Sequence, residues 1–207
     1  MKYLATIIVT AALLLTLPAC GNGNGKEGQT EDKATNEITV VFSDKEQYNP
    51  GAFELKKALG FIGGMRYNAK STAKHAYVAF ANYDARLGLY TVEMPKEPGQ
   101  IVILVSFKTE NKEIPFQQQM EEYAKMEVPT GTFPSAWMGE GKSFQVTYFV
   151  GGQSGGSAVS GTGASGTATL TTSTPGKLIG SIDFTSVYGS TIKGTFNVKV
   201  EKDLWKE

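Results

Sequence analysis

Residues 167–200 have the sequence TATLTTSTPGKLIGSIDFTSVYGSTIKGTFNVKV, and their hydrophobic pattern decides the fold class. Apolar and polar side chains alternate through three short runs, as in strands that bury one face. Pro175-Gly176 separates the first two runs, and a turn at Gly189 separates the second from the third. Proline fixes φ and glycine adopts positive φ, so both sites suit tight turns. The stretch therefore predicts three strands joined by tight turns.

The chain before this stretch repeats the pattern. Alternation predicts strands within 38–42, 53–61, 89–94 and 144–150, and we expect Gly63-Gly64 to end the second of these. The near-continuous apolar runs 77–81 and 101–107 also predict strands, and we expect 101–107 to be covered on both faces. For residues 53–61 a two-turn helix capped by Gly60 is the rival interpretation, and we prefer the strand. One short surface helix is predicted after Pro115, where Phe116, Met120 and Tyr123 lie at helical spacing.

Short strands at roughly ten-residue spacing with turn signals between them are typical of an antiparallel sandwich or barrel. We therefore expect a mainly β fold, with a single antiparallel β-sandwich or barrel-like domain over residues 37–207 and at most one short helix.

Composition excludes several classes of protein. The chain has 207 residues, of which 41% are hydrophobic, enough for a buried core. Lysine plus arginine number 20 and aspartate plus glutamate number 20, so no basic excess favours a nucleic-acid partner. One cysteine and one histidine permit neither a disulfide nor a zinc site of the Cys/His type. We predict no metal and no cofactor.

The N-terminus has the organisation of a secretory signal. Lys2 supplies a positive charge, and Leu4–Leu17 is an uncharged apolar run of 14 residues. That run is too short to span a hydrocarbon core of about 30 Å, but it suits the apolar region of a signal peptide. We expect residues 1–19 to be the signal peptide.

The next residues, Leu17-Pro18-Ala19-Cys20, resemble the lipobox of bacterial lipoproteins. The resemblance implies that the Cys20 thiol receives a diacylglyceryl group and that Cys20 becomes the acylated N-terminus, with palmitate as a typical acyl chain. Two or three acyl chains anchor a protein stably. A plain signal peptide cut elsewhere is the alternative; Leu17 suits an A-x-A cleavage site poorly, and Cys20 is the sole cysteine.

Residues 20–36 then form the expected tether, because 21–36 are rich in glycine, asparagine and charge and lack an apolar period. Gly21 follows the cysteine where enterobacterial sorting rules would place aspartate for retention in the inner membrane. By that resemblance the protein is a lipid-anchored component of the bacterial cell envelope, and the outer membrane is favoured over the inner.

A second resemblance covers residues 131–200. Gly131-Thr132-Phe133, the run SGTATLTTSTPGKLIGSIDFTS and the final GSTIKGTFNVKV are similar to the β-hairpin pattern of small β-rich bacterial lipoproteins. The resemblance implies a fold and a location, and it implies no activity.

One serine motif suggests a catalytic alternative. Residues 152–156 match G-x-S-x-G around Ser154, and His75 and Asp84 precede it in the order of chymotrypsin-like proteases. The interval from His75 to Ser154 is only 79 residues, and Ser154 lies in the most glycine-rich segment. We therefore predict no catalytic residues and keep an envelope serine hydrolase using His75 and Ser154 as the alternative.

The other candidate binding features are weaker. Residues 161–166 match G-x-G-x-x-G, but a strand-like run follows where a dinucleotide site needs a helix, so we expect a flexible hairpin loop. Trp137, in a turn-rich link, is the candidate for a carbohydrate or peptide surface.

The preferred interpretation is a non-catalytic binding or structural domain. Its expected partners are the membrane, through the acyl chains, and a protein or glycan of the envelope. A lipocalin-like carrier of an apolar ligand is a further alternative, which requires an interior cavity.

Overall fold

The fold is a curled, mainly β sheet in a computed structural model that describes residues 36–203 apart from 69–70, 90, 137–140, 161 and 175. A 3-10 turn (Phe116–Gln118) leads into the short helix α1 (Gln119–Lys125). The strands are β1 (Glu37–Val41), β2 (Lys57–Asn68), β3 (Ser71–Ala81), β4 (Ile101–Lys108), β5 (Lys112–Glu113), β6 (Gly131–Pro134), β7 (Ser143–Val150), β8 (Gly156–Ala158), β9 (Ser165–Thr174), β10 (Lys177–Thr185) and β11 (Thr191–Asp203).

The strand order is β6-β9-β10-β11-β2-β3-β4-β7-β8, with β1 added to β11 and β5 to β3. The pairing of β11 with β2 is parallel, and the other strand pairs are antiparallel. The sheet curls so far that Ser135, just after β6, forms a bridge with Phe144 of β7, and we call this curled sheet the barrel. The prediction of a mainly β fold with one short helix is confirmed. The sheet is mixed because the β11–β2 pair is parallel.

The curl brings two layers face to face. One layer contains β6, β9, β10, β1 and most of β11, and the other contains β2, β3, β4, β5, β7, β8 and the end of β11. Rings from the two layers meet in the interior: Phe107 lies 5.2 Å from Phe133 and 6.1 Å from Phe196, and Phe144 lies 5.8 Å from Phe184, measured between centroids. Because these phenylalanine rings interdigitate, side chains fill the interior as a packed core.

The alternation seen in the sequence follows the two faces of the sheet. In β10 the inward residues are Leu178, Gly180, Ile182 and Phe184, and every one of them is buried. In β4 five of the first seven residues and Lys108 are buried, because residues outside the barrel also cover this strand. The prediction that 101–107 is covered on both faces is therefore confirmed.

Two strand predictions need correction. Residues 89–94 do not form a strand in the described chain: a single bridge joins Leu87 to Val92, and Val92 packs against the outside of β3 and β4. Of residues 53–61, only the part from Lys57 onward is strand, and β2 continues through Gly63-Gly64, where we expected it to end. Pairing with β3 continues through Gly63-Gly64 and overrides the weak local preference there, while β11 pairs with β2 only from Gly60 to Ile62.

The barrel has two distinct ends. At one end, β3 finishes at Ala81, β7 finishes at Val150, and the turn 186–190 joins β10 to β11. We call this the Glu46 end, because Glu46 is buried there. At the opposite, helix end, α1 buries Tyr123 and leaves Met120 exposed, and the preceding 3-10 turn leaves Phe116 exposed.

Candidate functional site

The structure separates the two residues of the hydrolase alternative. His75 lies on β3 opposite Lys108 of β4, which pairs with Ser143 at the start of β7. Ser154 follows the opposite end of β7, beyond Val150. Seven residue steps of about 3.3 Å lie between Ser143 and Val150, so the two candidates are roughly 20 Å apart. Asp84 follows the end of β3, and its carboxylate lies 3.9 Å from the Arg86 guanidinium.

His75 has a different hydroxyl partner. Its Nδ1 lies 2.9 Å from the Oγ of Ser106 on β4, and its ring stacks on Tyr77 with centroids 5.5 Å apart. Burial, followed by the charge of Lys108, lowers the pKa of His75 to about 4. The imidazole is therefore neutral at physiological pH and a weak base for activating a hydroxyl. Only 3% of His75 is exposed, so the pair stabilises the sheet and offers no open site.

The glycine-rich segment is partly ordered by strand pairing. Residues 156–158 form β8 against β7, and Ser160 is completely buried, with its Oγ accepting the Val146 N–H at 2.7 Å. Ser165 and Gly166 already belong to β9. A strand therefore follows the glycine motif, as the sequence indicated. The described residues of this segment that are exposed and outside strands are 152–155 and 162–163.

Two of the predicted site residues lie outside the described residues. These are Cys20, with the whole of the signal peptide and most of the tether, and Trp137. The lipidation of Cys20 and a binding role for Trp137 stay predictions.

A polar cluster that the sequence did not indicate lies at the Glu46 end. Glu46 is 4% exposed, and its carboxylate accepts three hydroxyl hydrogen bonds. Ser186 Oγ donates to Oε1 at 2.9 Å, Ser190 Oγ donates to the same oxygen, and the Tyr148 hydroxyl donates to Oε2 at 3.1 Å. The donors are more than 100 positions away in the chain, so no local motif could have revealed the cluster.

Tyr148 is held as a donor in this cluster. Burial, and the nearby Glu46 carboxylate, raise the pKa of Tyr148 to about 12. The phenol therefore keeps its proton at physiological pH and donates it toward Glu46. No ion pair joins Glu46 to a cationic side chain in the part of the chain that the structure describes.

An open groove of about 350 Å³ lies at the helix end. Its lining includes Lys112, Glu127, Thr130 and Lys142, so charges of both signs face it. The Lys142 ammonium donates to the Thr130 carbonyl and lies 4.5 Å from the Phe133 ring centre. The groove is shallow and mixed in charge, which identifies no single ligand class.

Within the described ranges, no group of three His, Cys, Asp or Glu side chains is arranged to hold a metal ion. The same part of the chain has no helix long and apolar enough to cross a membrane.

No protein-family model matches this chain, and no curated protein or solved structure matches it at a significant level.

Proposed function

We propose that this chain is a bacterial cell-envelope lipoprotein, anchored through acyl chains on Cys20, whose β-domain binds or associates without catalysis. The single observation that carries the proposal is the run Leu17-Pro18-Ala19-Cys20 directly after the apolar stretch of the signal peptide. Cys20 is the sole cysteine of the chain, so one thiol is available for acylation.

The interior of the barrel supports a function at the outer surface. A carrier of the lipocalin type needs an internal space for its ligand. Here Phe80 and Phe107 both pack against Phe196 in the centre, with centroid distances of 6.0 Å and 6.1 Å. The filled centre therefore favours a surface that contacts an envelope protein or glycan over a carrier of an apolar ligand.

The separation of His75 from Ser154 supports the non-catalytic class over the hydrolase. A general base must reach its nucleophile within about 3 Å, directly or through one water. His75 is buried on the sheet and Ser154 is exposed beyond Val150. Outer-membrane delivery, favoured by Gly21, belongs to the same proposal.

Intact-mass measurement of the protein extracted from bacterial membranes tests the anchor. We expect the mass of residues 20–207 plus a diacylglyceryl group and acyl chains. Cys20→Ala should abolish both the added mass and the membrane association, because the substitution removes the thiol that is acylated. Cys20→Ser is the matched control for side-chain size and should behave in the same way. An unmodified mass, or cleavage at another residue, would refute the proposed anchor.

A further inference from the structure

The segment between β1 and β2, residues 42–55, crosses the Glu46 end of the barrel, and we call it the strap. Its backbone-to-backbone hydrogen bonds are internal: the Glu46 N–H donates to the Ser43 carbonyl and the Asn49 N–H to the Glu46 carbonyl, each at 3.2 Å. The Ser43 N–H binds a barrel side chain, since it donates to Ser190 Oγ at 2.8 Å. Among the described residues, no backbone-to-backbone hydrogen bond joins residues 44–55 to another part of the chain, and the backbone of Tyr48 is hydrogen-bonded to the Tyr148 hydroxyl. Side chains therefore hold the strap to the barrel.

These side-chain contacts converge on one barrel residue. The rings of Phe42 and Tyr48 lie 5.3 Å and 6.5 Å from the ring of Tyr148, measured between centroids. The Glu46 carboxylate accepts a hydrogen bond from the Tyr148 hydroxyl. Phe53 and Leu55 add partly buried apolar contacts to the same core. The strap thus contacts the barrel much as a bound peptide would, with two rings and one carboxylate around a central aromatic side chain.

The pocket that receives the carboxylate is built by the barrel alone. Tyr148 belongs to β7, and Ser186 and Ser190 flank the turn between β10 and β11. The Ser186 Oγ accepts the N–H groups of Tyr188 and Ser190 at 3.1 Å and 3.0 Å, so the turn fixes its position without the strap. The turn therefore preorganises the Ser186 hydroxyl, whereas Ser190 Oγ also accepts the Ser43 N–H of the docked strap at 2.8 Å.

The electrostatics of this contact are unusual. A buried carboxylate is normally compensated by a cation or by several strong donors, because desolvation penalises the charge. Glu46 has only hydroxyl donors, which are satisfied while the strap is docked. In water the same carboxylate would be fully hydrated, so the cost of releasing the strap is smaller than the number of its hydrogen bonds suggests.

We propose that the strap is a lid that lifts from the barrel as a unit, with Glu46 as its latch in a hydroxyl-lined pocket that accepts a small free carboxylate once the strap has lifted. The docked strap is then an internal ligand that keeps this site closed. The proposal depends only on the contacts of residues 42–55 and does not require the lipid anchor.

Hydrogen exchange of the full chain tests the lid. Glu46→Ala removes the latch carboxylate. The loss of each hydrogen bond to a charged group should lower the equilibrium constant for docking of the strap at least about tenfold. We expect strap amides and those of the turn 186–190 to exchange at least about tenfold faster, with amides of β3 and β4 changed less than about twofold. Tyr148→Phe removes only one donor and is the milder variant if Glu46→Ala does not fold.

Acetate tests the pocket, because it has the size of the group that Glu46→Ala removes. We expect acetate to raise the Tm of this variant saturably and to slow exchange in the turn 186–190, while the strap itself stays rapidly exchanging. Acetamide, which has nearly the same shape and no charge, should have no such effect.

Three results would overturn the proposal. The strap and the barrel could lose protection together, which would make the strap part of one cooperative unit. Strap exchange could be unchanged in both variants. Acetate could fail to stabilise the variant, act no better than acetamide, or restore protection to the strap as well, as expected if it only filled a structural cavity.

Discussion

At the scale of single residues, the buried ionisable side chains of His75 and Glu46 are compensated in the same way. Each faces serine hydroxyls: Ser106 lies beside the imidazole, and Ser186 and Ser190 lie beside the carboxylate. Hydroxyl groups are versatile partners, because each can donate to the carboxylate and either donate to or accept from the imidazole. Which serines lie beside these two side chains depends on the register of the strands and the position of the turn. A strand prediction from one sequence provides neither.

The lowered pKa of His75 makes folding sensitive to acid. The unfolded imidazole has a pKa near 6.5 and the folded one about 4, so the unfolded chain binds the extra proton first as pH falls. Stability from this residue is therefore present above pH 6.5 and lost between 6.5 and 4, with a total on the order of 3 kcal/mol.

His75→Gln is the matched variant, since it stays neutral and can still bond Ser106. Urea unfolding of both proteins from pH 7 to pH 4 should give a stability difference that changes across this window. A difference independent of pH would contradict the assignment of the titration to His75.

At the scale of elements, β11 determines how the layers join. Its first residues pair with β1 and β10, and its last residues, from Val200, pair in parallel with β2. One long strand thus belongs to both layers. Alternation in the sequence predicted this strand from Ile192 to Val200, but its parallel partner lies about 140 positions earlier and could not be inferred.

Gly180 allows the close approach of β9, β10 and β11. A Cβ at this position would lie 2.0 Å from the Thr169 carbonyl oxygen and 2.7 Å from Cζ of Phe196. Gly180→Ala must displace backbone and a core ring, so we expect a loss of about 1–3 kcal/mol or more in the free energy of unfolding. Gly141→Ala is the control, because a Cβ there meets nothing within 4 Å. Equal denaturation midpoints for the two variants would refute this role of Gly180.

At the scale of the whole molecule, aromatic rings in the interior hold the layers together. Phe107 is fully buried and contacts Phe133, Phe144 and Phe196, which come from three other strands. Because so few charged groups enter this interior, its stability depends on shape and buried apolar area.

Phe107→Ala should lower the free energy of unfolding by about 3–5 kcal/mol, through lost transfer energy and the cavity left behind. Phe116→Ala is the matched control, because Phe116 is 52% exposed and its loss should change stability by no more than about 0.5 kcal/mol. Calorimetry of both variants measures the difference. Similar Tm shifts would mean that the Phe107 contacts do not dominate the core.

The sequence by itself determined the mainly β class, most strand positions, the short helix after Pro115 and the turn at Gly189, where φ is +91°. These features depend on local periodicity and local backbone preference, which neighbouring residues specify. It also carries the lipobox-like run at Cys20, a short linear segment on which the proposed anchor depends.

Tertiary structure alone decided the curl of the sheet, the parallel β11–β2 pair, the partnership of His75 with Ser106 rather than Ser154, and the burial of Glu46 under the strap. Each depends on residues that are far apart in the chain and brought together by long-range strand pairing. Side-chain alternation specifies which face a residue occupies, but it does not specify which strand lies beside it, and that register sets every one of these contacts.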